Sequence, residues 1–220
     1  MKNLLIAGNW KSNMTKSEAK KWLEEFSGQS FSEETEVVIF APFTLLEMMS
    51  GYIRVNDLPI KLGAQDISPF TKGAYTGEIN AEQIREFATY VLIGHSERRS
   101  NFSETPEMIN KKIEQAKSAG LEMVVCVSNL DQIKSLPQDD MVIAYEPIEA
   151  IGTGNAENPT DVSSFVSQIK EIRNVNILYG GSVNAENVKN YANLENINGA
   201  LVGGQSLDAK SFSDLVKNAA

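Results

Sequence analysis

The chain has 220 residues, 42% hydrophobic and 22% charged, with a formal net charge of −9 at pH 7. That length suits one large domain or two small ones with ample core material, and the acidity argues against nucleic acid, whose binders display basic surface. One cysteine, Cys126, leaves no internal disulfide and fits a reducing cytoplasm, the opening MKNLLIAGNWKSN lacks an apolar run of signal-peptide length, and no segment reaches the roughly 20 apolar residues of a membrane span.

In chain order, short apolar runs predict strands at Leu4–Ala7, Val37–Ala41, Lys61–Gln65, Tyr90–Gly94, Glu122–Val127, Val142–Tyr145, Asn176–Tyr179 and Gly199–Val202. Most are Val, Ile and Leu without polar alternation, as in strands buried on both faces. Helical spacing falls between them. Ser17–Phe26 puts Ala19, Leu23 and Phe26 on one face, and Thr44–Ile53 and Ala81–Phe87 follow. Thr105–Ala119 has Pro106 in its first turn and Gly120 at its close. Leu130–Leu136 is a short fifth crossover, and Thr160–Arg173, Ala185–Ala192 and Ala209–Ala219 complete the series. Strand–helix alternation eight times over predicts parallel strands joined by right-handed crossovers, an α/β chain closed as a (β/α)8 barrel with outer helices. An open doubly wound sheet is disfavoured because no G-x-G-x-x-G follows the first strand. With no linker or composition shift, residues 1–220 read as one domain.

In such a barrel the functional groups gather after the strand C-terminal ends. The first strand is followed by Asn9, Trp10 and Lys11, with Asn9 and Lys11 able to face one way. The fourth is followed by GHSERR, whose His95 is the sole histidine, so no His-rich metal site exists. A short charged helical segment after His95 would oppose an imidazolium through its N-terminal dipole and favour the neutral ring. Glu97, Arg98 and Arg99 then read as an ion-pair scaffold at the rim. The sixth strand delivers Glu146, either an ion-pair partner of an arginine such as Arg98 or a base. Pro147 fixes its exit, and Ile148, Glu149, Ala150, Ile151, Gly152, Thr153 and Gly154 follow as a candidate hinged lid. YGGSV after the seventh strand and VGGQSL after the eighth place paired glycines where backbone N–H groups can approach a phosphate. Cys126 reads as a core filler. No metal-ligand spacing, nucleotide loop or cofactor lysine appears, so neither metal nor cofactor is expected.

A carboxylate base, a neutral donor and a lysine suit removal of a proton beside a carbonyl, giving an enediolate held by His95 and Lys11. Return of the proton to the neighbouring carbon is an aldose–ketose isomerisation of a small phosphorylated sugar. A different sugar-phosphate enzyme and an inactive binding module are the competing readings.

The stretches GNWKSN, APFTLL, GAQDISPFTKGAYTGEI, VLIGHSERR, AYEP-x-x-AIGTG, YGGSV and GALVGGQSL run in order from residue 8 to about 207. In that set and order the chain resembles the triosephosphate isomerase family. The resemblance implies interconversion of dihydroxyacetone phosphate and D-glyceraldehyde 3-phosphate. By that match Glu146 is the base, His95 the electrophile, Lys11 the cationic stabiliser, Asn9 a donor and Glu97 a further carboxylate. The pairing of a glutamate base with a neutral histidine is the family's own and is carried over by the match. Phosphate would bind at Gly152, Ser182, Gly203 and Gly204, with Tyr179 and Ser182 holding the lid. The resemblance also implies that Asp66–Glu78 inserts into a neighbouring subunit, Thr76 reaching its Asn9 and His95, with Met14 at the contact. A homodimer is expected, with a tetramer as the alternative. The departures are Ile148-Glu149 where Val-Trp is usual, Asn155 in place of a lysine, Asn129 in place of a glutamate, and the short Ser128–Asp140 crossover.

Overall fold

The computed structural model describes residues 3–147 and 156–220. Eight parallel strands close into a barrel in sequence order: β1 Leu4–Asn9, β2 Thr35–Ala41, β3 Lys61–Ala64, β4 Tyr90–Ile93, β5 Glu122–Val127, β6 Val142–Tyr145, β7 Asn176–Tyr179 and β8 Gly199–Val202. The last four match the sequence boundaries, while β1 runs on through Asn9 and β2 starts at Thr35. β3 and β4 each stop one residue early. Gly94 turns with a φ of +66°, and Gln65 leaves the ladder to bond two carbonyls elsewhere.

The outer layer contains α1 Lys16–Phe26, α2 Phe43–Val55, α3 Ala81–Arg85, α4 Ser96–Asn101, α5 Pro106–Ser118, α6 Leu130–Ser135, α7 Pro159–Ile172, α8 Val188–Ala192 and α9 Ala209–Ala219. Local chemistry sets their starts. Thr15 and Glu18 form a capping box on α1, and Asn80 and Gln83 do the same on α3. Thr105, Asn129, Asn158 and Asp208 each accept from a first-turn N–H. Asn129 thus caps the six-residue α6. That short crossover is tied down by Asn110 donating to Ser135 O at 2.9 Å, Lys117 pairing with Asp139, and Arg173 donating to Pro137 O. Helix α8 starts three residues later than its pattern predicts, because Asn184 and Asn187 spend the preceding residues in side-chain-capped turns.

The apolar residues divide into two layers. Ala7, Val38, Phe40, Leu92, Val124 and Leu178 fill the barrel, and a larger set packs strands against helices. Gly63 makes the inner layer possible: a Cβ there would lie 2.3 Å from the Phe40 ring. The indoles of Trp10 and Trp22 both donate to Ser206 O, at 3.0 and 3.1 Å, tying β1 and α1 to the turn after β8. No helix among the described residues is long and apolar enough to cross a membrane.

Candidate active site

A cavity of about 300 Å³ opens at the C-terminal ends of the strands. Asn9 and Lys11 from β1, His95 from β4 and Glu146 from β6 line one side of it; Ser182, Gly203 and Gly204 line the other. Residues as far apart in the chain as Asn9 and Gly204 therefore meet in one space, as the barrel topology demands.

Glu146 is buried, with one carboxylate oxygen 2.9 Å from His95 Nε2 and the other accepting from Ser96 N–H at 3.1 Å. The Cys126 thiol also donates to it. Burial pushes the carboxyl toward protonation, but the His95 hydrogen bond, the Ser96 N–H and the thiol act against it, and it lies below the usual range. Arg98, the arginine weighed for this carboxylate, instead bonds Asp66 at 2.9 Å and Glu104 at 2.5 Å. Gly180 is required beside Glu146: a Cβ there would sit 2.9 Å from Glu146 Cγ.

His95 caps α4, its Nδ1 accepting from Glu97 N–H at 3.2 Å. That nitrogen carries no proton in this arrangement, so the single imidazole proton sits on Nε2, facing Glu146 and the cavity. Arg99 braces the turn from behind, donating to Gly94 O at 2.7 Å and Cys126 O at 2.8 Å.

Lys11 has a φ of +53°, left-handed backbone that a non-glycine residue adopts only under constraint. The constraint is visible. Its N–H donates to Asn9 Oδ1 at 3.1 Å, and its carbonyl accepts from Gln65 Nε2 at 2.9 Å. Its ammonium lies 2.6 Å from Glu97. Glu97 therefore touches the site through Lys11 and does not line the cavity itself.

Cys126 is fully buried inside the barrel, and burial, reinforced by the Glu146 carboxylate, pushes its thiol well above the usual range. It is a filler and a hydrogen-bond donor, not a nucleophile. Tyr179 is buried, and its hydroxyl accepts from Glu157 N–H at 2.9 Å. Pro147 is buried directly behind the base. Ile148, Glu149, Ala150, Ile151, Gly152, Thr153, Gly154 and Asn155 lie outside the described residues.

Within one chain Thr76 is exposed and does not reach the cavity. It follows Tyr75, which stacks on Phe70 at 4.2 Å with both rings 40% or more exposed. Met14 lines a second cavity of about 640 Å³ that shares Asn9, Lys11 and His95 with the first.

Sequence reasoning missed three supports. Gln65 and Arg99 act on carbonyls, which leave no trace in a residue pattern. The third is a buried cluster in which Lys112, only 2% exposed, pairs with Asp66 at 2.5 Å and with Glu104. A lysine inside α5 reads as solvated surface; only the apolar residues at 109, 113 and 116 sharing its side of the helix hint otherwise.

A family model described as triosephosphate isomerase matches residues 4–219. Among curated proteins, the triosephosphate isomerase of Alkaliphilus metalliredigens is 40% identical, the match covering 98% of this chain and 99% of that protein. Those of Synechocystis and Thermoanaerobacter pseudethanolicus are 41% and 42% identical, over 98% of this chain and 98% and 99% of theirs.

Proposed function

The chain belongs to the triosephosphate isomerase family and is an isomerase of glycolysis interconverting dihydroxyacetone phosphate and D-glyceraldehyde 3-phosphate, and from that premise we propose how its residues divide the work. Glu146 removes the proton from the carbon beside the substrate carbonyl. The electron pair moves onto the carbonyl oxygen, giving an enediolate. His95 Nε2–H and the Lys11 ammonium stabilise that oxygen, each such donor contributing about 3 kcal/mol. The hydroxyl proton crosses to the oxyanion by way of His95, and Glu146 returns its proton to the neighbouring carbon. Asn9 orients the substrate oxygens, and Glu97 keeps the lysine in place. The chemistry calls on no cofactor.

One observation carries this reading: the base and the imidazole N–H meet at 2.9 Å in the wall of a cavity that paired glycines also line. The carboxylate is occupied by His95 in the empty site, so an arriving carbonyl takes the Nε2 proton and frees the base for carbon. Backbone N–H groups of Ser182, Gly203 and Gly204 hold the phosphate, with Gly152 as a fourth contact. Pro147 to Gly154 closes over it, latched by Tyr179 and Ser182. The lid and Gly152 roles rest on sequence alone.

We further propose a cytoplasmic homodimer, a tetramer being the alternative, in which Asp66–Glu78 enters the neighbour's cavity beside Met14 and brings Thr76 to its Asn9 and His95. The exposed Phe70–Tyr75 stack supports this, since a rigid aromatic pair gains more from burial than from water. Light scattering should give twice the 24.2 kDa chain mass; a monomer that turns over at full rate would sink the dimer reading. The catalytic reading is tested by Glu146→Gln. Turnover of glyceraldehyde 3-phosphate, coupled to an NADH-consuming dehydrogenase, should fall by about three orders of magnitude with the fold kept. A variant as active as the parent would remove Glu146 as the base.

A further inference from the structure

Two carboxamides at the cavity wall are given no role by the family match. Asn184 and Gln205 both line the 300 Å³ cavity, on the side of Ser182, Gly203 and Gly204. The Asn184 side chain is fixed: its Oδ1 accepts from the N–H groups of Glu186 and Asn187, both at 2.9 Å. Two N–H donors on one oxygen settle which end of the amide is which, so the nitrogen faces away from the turn with both its hydrogens available. That nitrogen has no partner among the described residues. Asn187 locks the same turn from the other side, accepting from Asn184 N–H at 2.9 Å and donating to Ser182 O at 3.0 Å. Gln205 follows the paired glycines of β8, is exposed, and its carboxamide also has no partner among the described residues.

We propose that Asn184 and Gln205 are two further phosphate-recognition residues, whose amide N–H groups hold the outward oxygens of the dianion; this rests on the phosphate cradle proposed above. Charge explains the choice of residue. Lys11 is the sole lysine or arginine lining the cavity among the described residues, and its ammonium already lies 2.6 Å from Glu97, while Glu146 adds a carboxylate to the same space. A dianion there needs more donors. Another cation would supply them, but it would also stabilise the ionised carboxylate and weaken Glu146 as a base. A carboxamide supplies N–H groups without net charge, and so binds the phosphate while leaving the base unaltered.

The test is competitive inhibition by inorganic phosphate, read beside the KM for glyceraldehyde 3-phosphate. Asn184→Asp keeps both acceptor bonds of the turn and replaces the donors with an anionic oxygen. Gln205→Ala removes an exposed side chain with no hydrogen bond among the described residues, so its fold is safe. The inhibition constant should rise about tenfold in Gln205→Ala and about a hundredfold in Asn184→Asp, with KM rising in step and more than kcat falls. If phosphate inhibits the parent and both variants stay within about twofold of it, these residues are not phosphate contacts and the cradle is backbone alone. If phosphate does not compete in the parent either, the cradle itself is misassigned and this proposal falls with it.

Discussion

At the ends of β4 and β6 the cavity wall is made of polar side chains held by other side chains; at the ends of β7 and β8 it is glycine and backbone. On the first side Glu146 has His95, Ser96 N–H and Cys126 around it, and His95 has the α4 backbone and Arg99 behind it. On the second, Gly181, Gly203 and Gly204 line the cavity with backbone and no Cβ in the way, while the Gly180 N–H is spent on Tyr145 O at 2.8 Å. A reacting proton must move along one line, so its donor and acceptor need angular precision, which a packed side chain with several bonds provides. A phosphate is charged and nearly symmetric, so close approach of many N–H groups matters more than any single direction. Changes on the first side should therefore lower kcat, and changes on the second should raise KM.

Gly180 breaks that division and gives the largest effect after loss of the base itself. It belongs to the glycine wall, yet the missing Cβ leaves room for the base: an added methyl would lie 2.9 Å from Glu146 Cγ and 3.2 Å from Tyr145 O. The backbone contact cannot yield cheaply, so the carboxylate moves. Displacing a base by about 1 Å costs about a hundredfold. Gly180→Ala should lower kcat by about that factor with a smaller change in KM. A KM effect without a kcat effect would mean Gly180 serves only the phosphate.

Strand identity was legible because β5 to β8 are short Val- and Ile-rich runs bounded by turn residues, and their boundaries match residue for residue. The residues that line the cavity were legible because each stands at or directly after a strand end: Asn9 and Lys11, His95, Glu146, and the two glycine pairs. What holds them was not. Gln65 bonds Phe40 O and Lys11 O, Arg99 bonds Gly94 O and Cys126 O, and Lys112 pairs with Asp66 across 46 positions. Each is a long-range bond to a backbone carbonyl or a buried charge, set by the closed barrel and invisible to local period. The Asn184–Asn187 turn was misread as helix for the opposite reason: asparagine side chains outcompeted a helical pattern locally.

Gln65 sharpens the comparison on the side-chain half. It is half-buried and donates to two carbonyls, each at 2.9 Å, one of them on the left-handed residue Lys11. Gln65→Leu leaves both carbonyls without that donor, at a cost of about 2 kcal/mol in stability. It also releases the constraint that keeps Lys11 at positive φ, and the ammonium loses its fixed place over the cavity. Turnover should fall about tenfold, while Gln65→Glu keeps the side chain's shape but presents acceptor oxygens to both carbonyls and should fall alongside it. Urea unfolding and kcat measured on the same preparation check both effects; a stability loss with kcat intact would confine Gln65 to packing.

The smallest effect is the pH dependence that Glu146 itself imposes. Its folded carboxyl is held below the usual glutamate range: burial raises it, and the His95, Ser96 and Cys126 contacts outweigh that. A depressed carboxyl binds its proton less tightly when folded than when unfolded. It therefore contributes stability that is complete above the unfolded value of about 4.3 and is lost as pH falls through the lower folded one. Glu146→Gln has no such group. The stability difference between parent and variant should be constant near neutrality and shift against the parent as pH drops below about 5, by no more than about 1.4 kcal/mol for each unit of depression. The acid limb of kcat/KM in the parent should lie below the ordinary glutamate range for the same reason. An acid limb above that range would mean that burial dominates the carboxyl after all, and that the three contacts around it are weaker than their geometry implies.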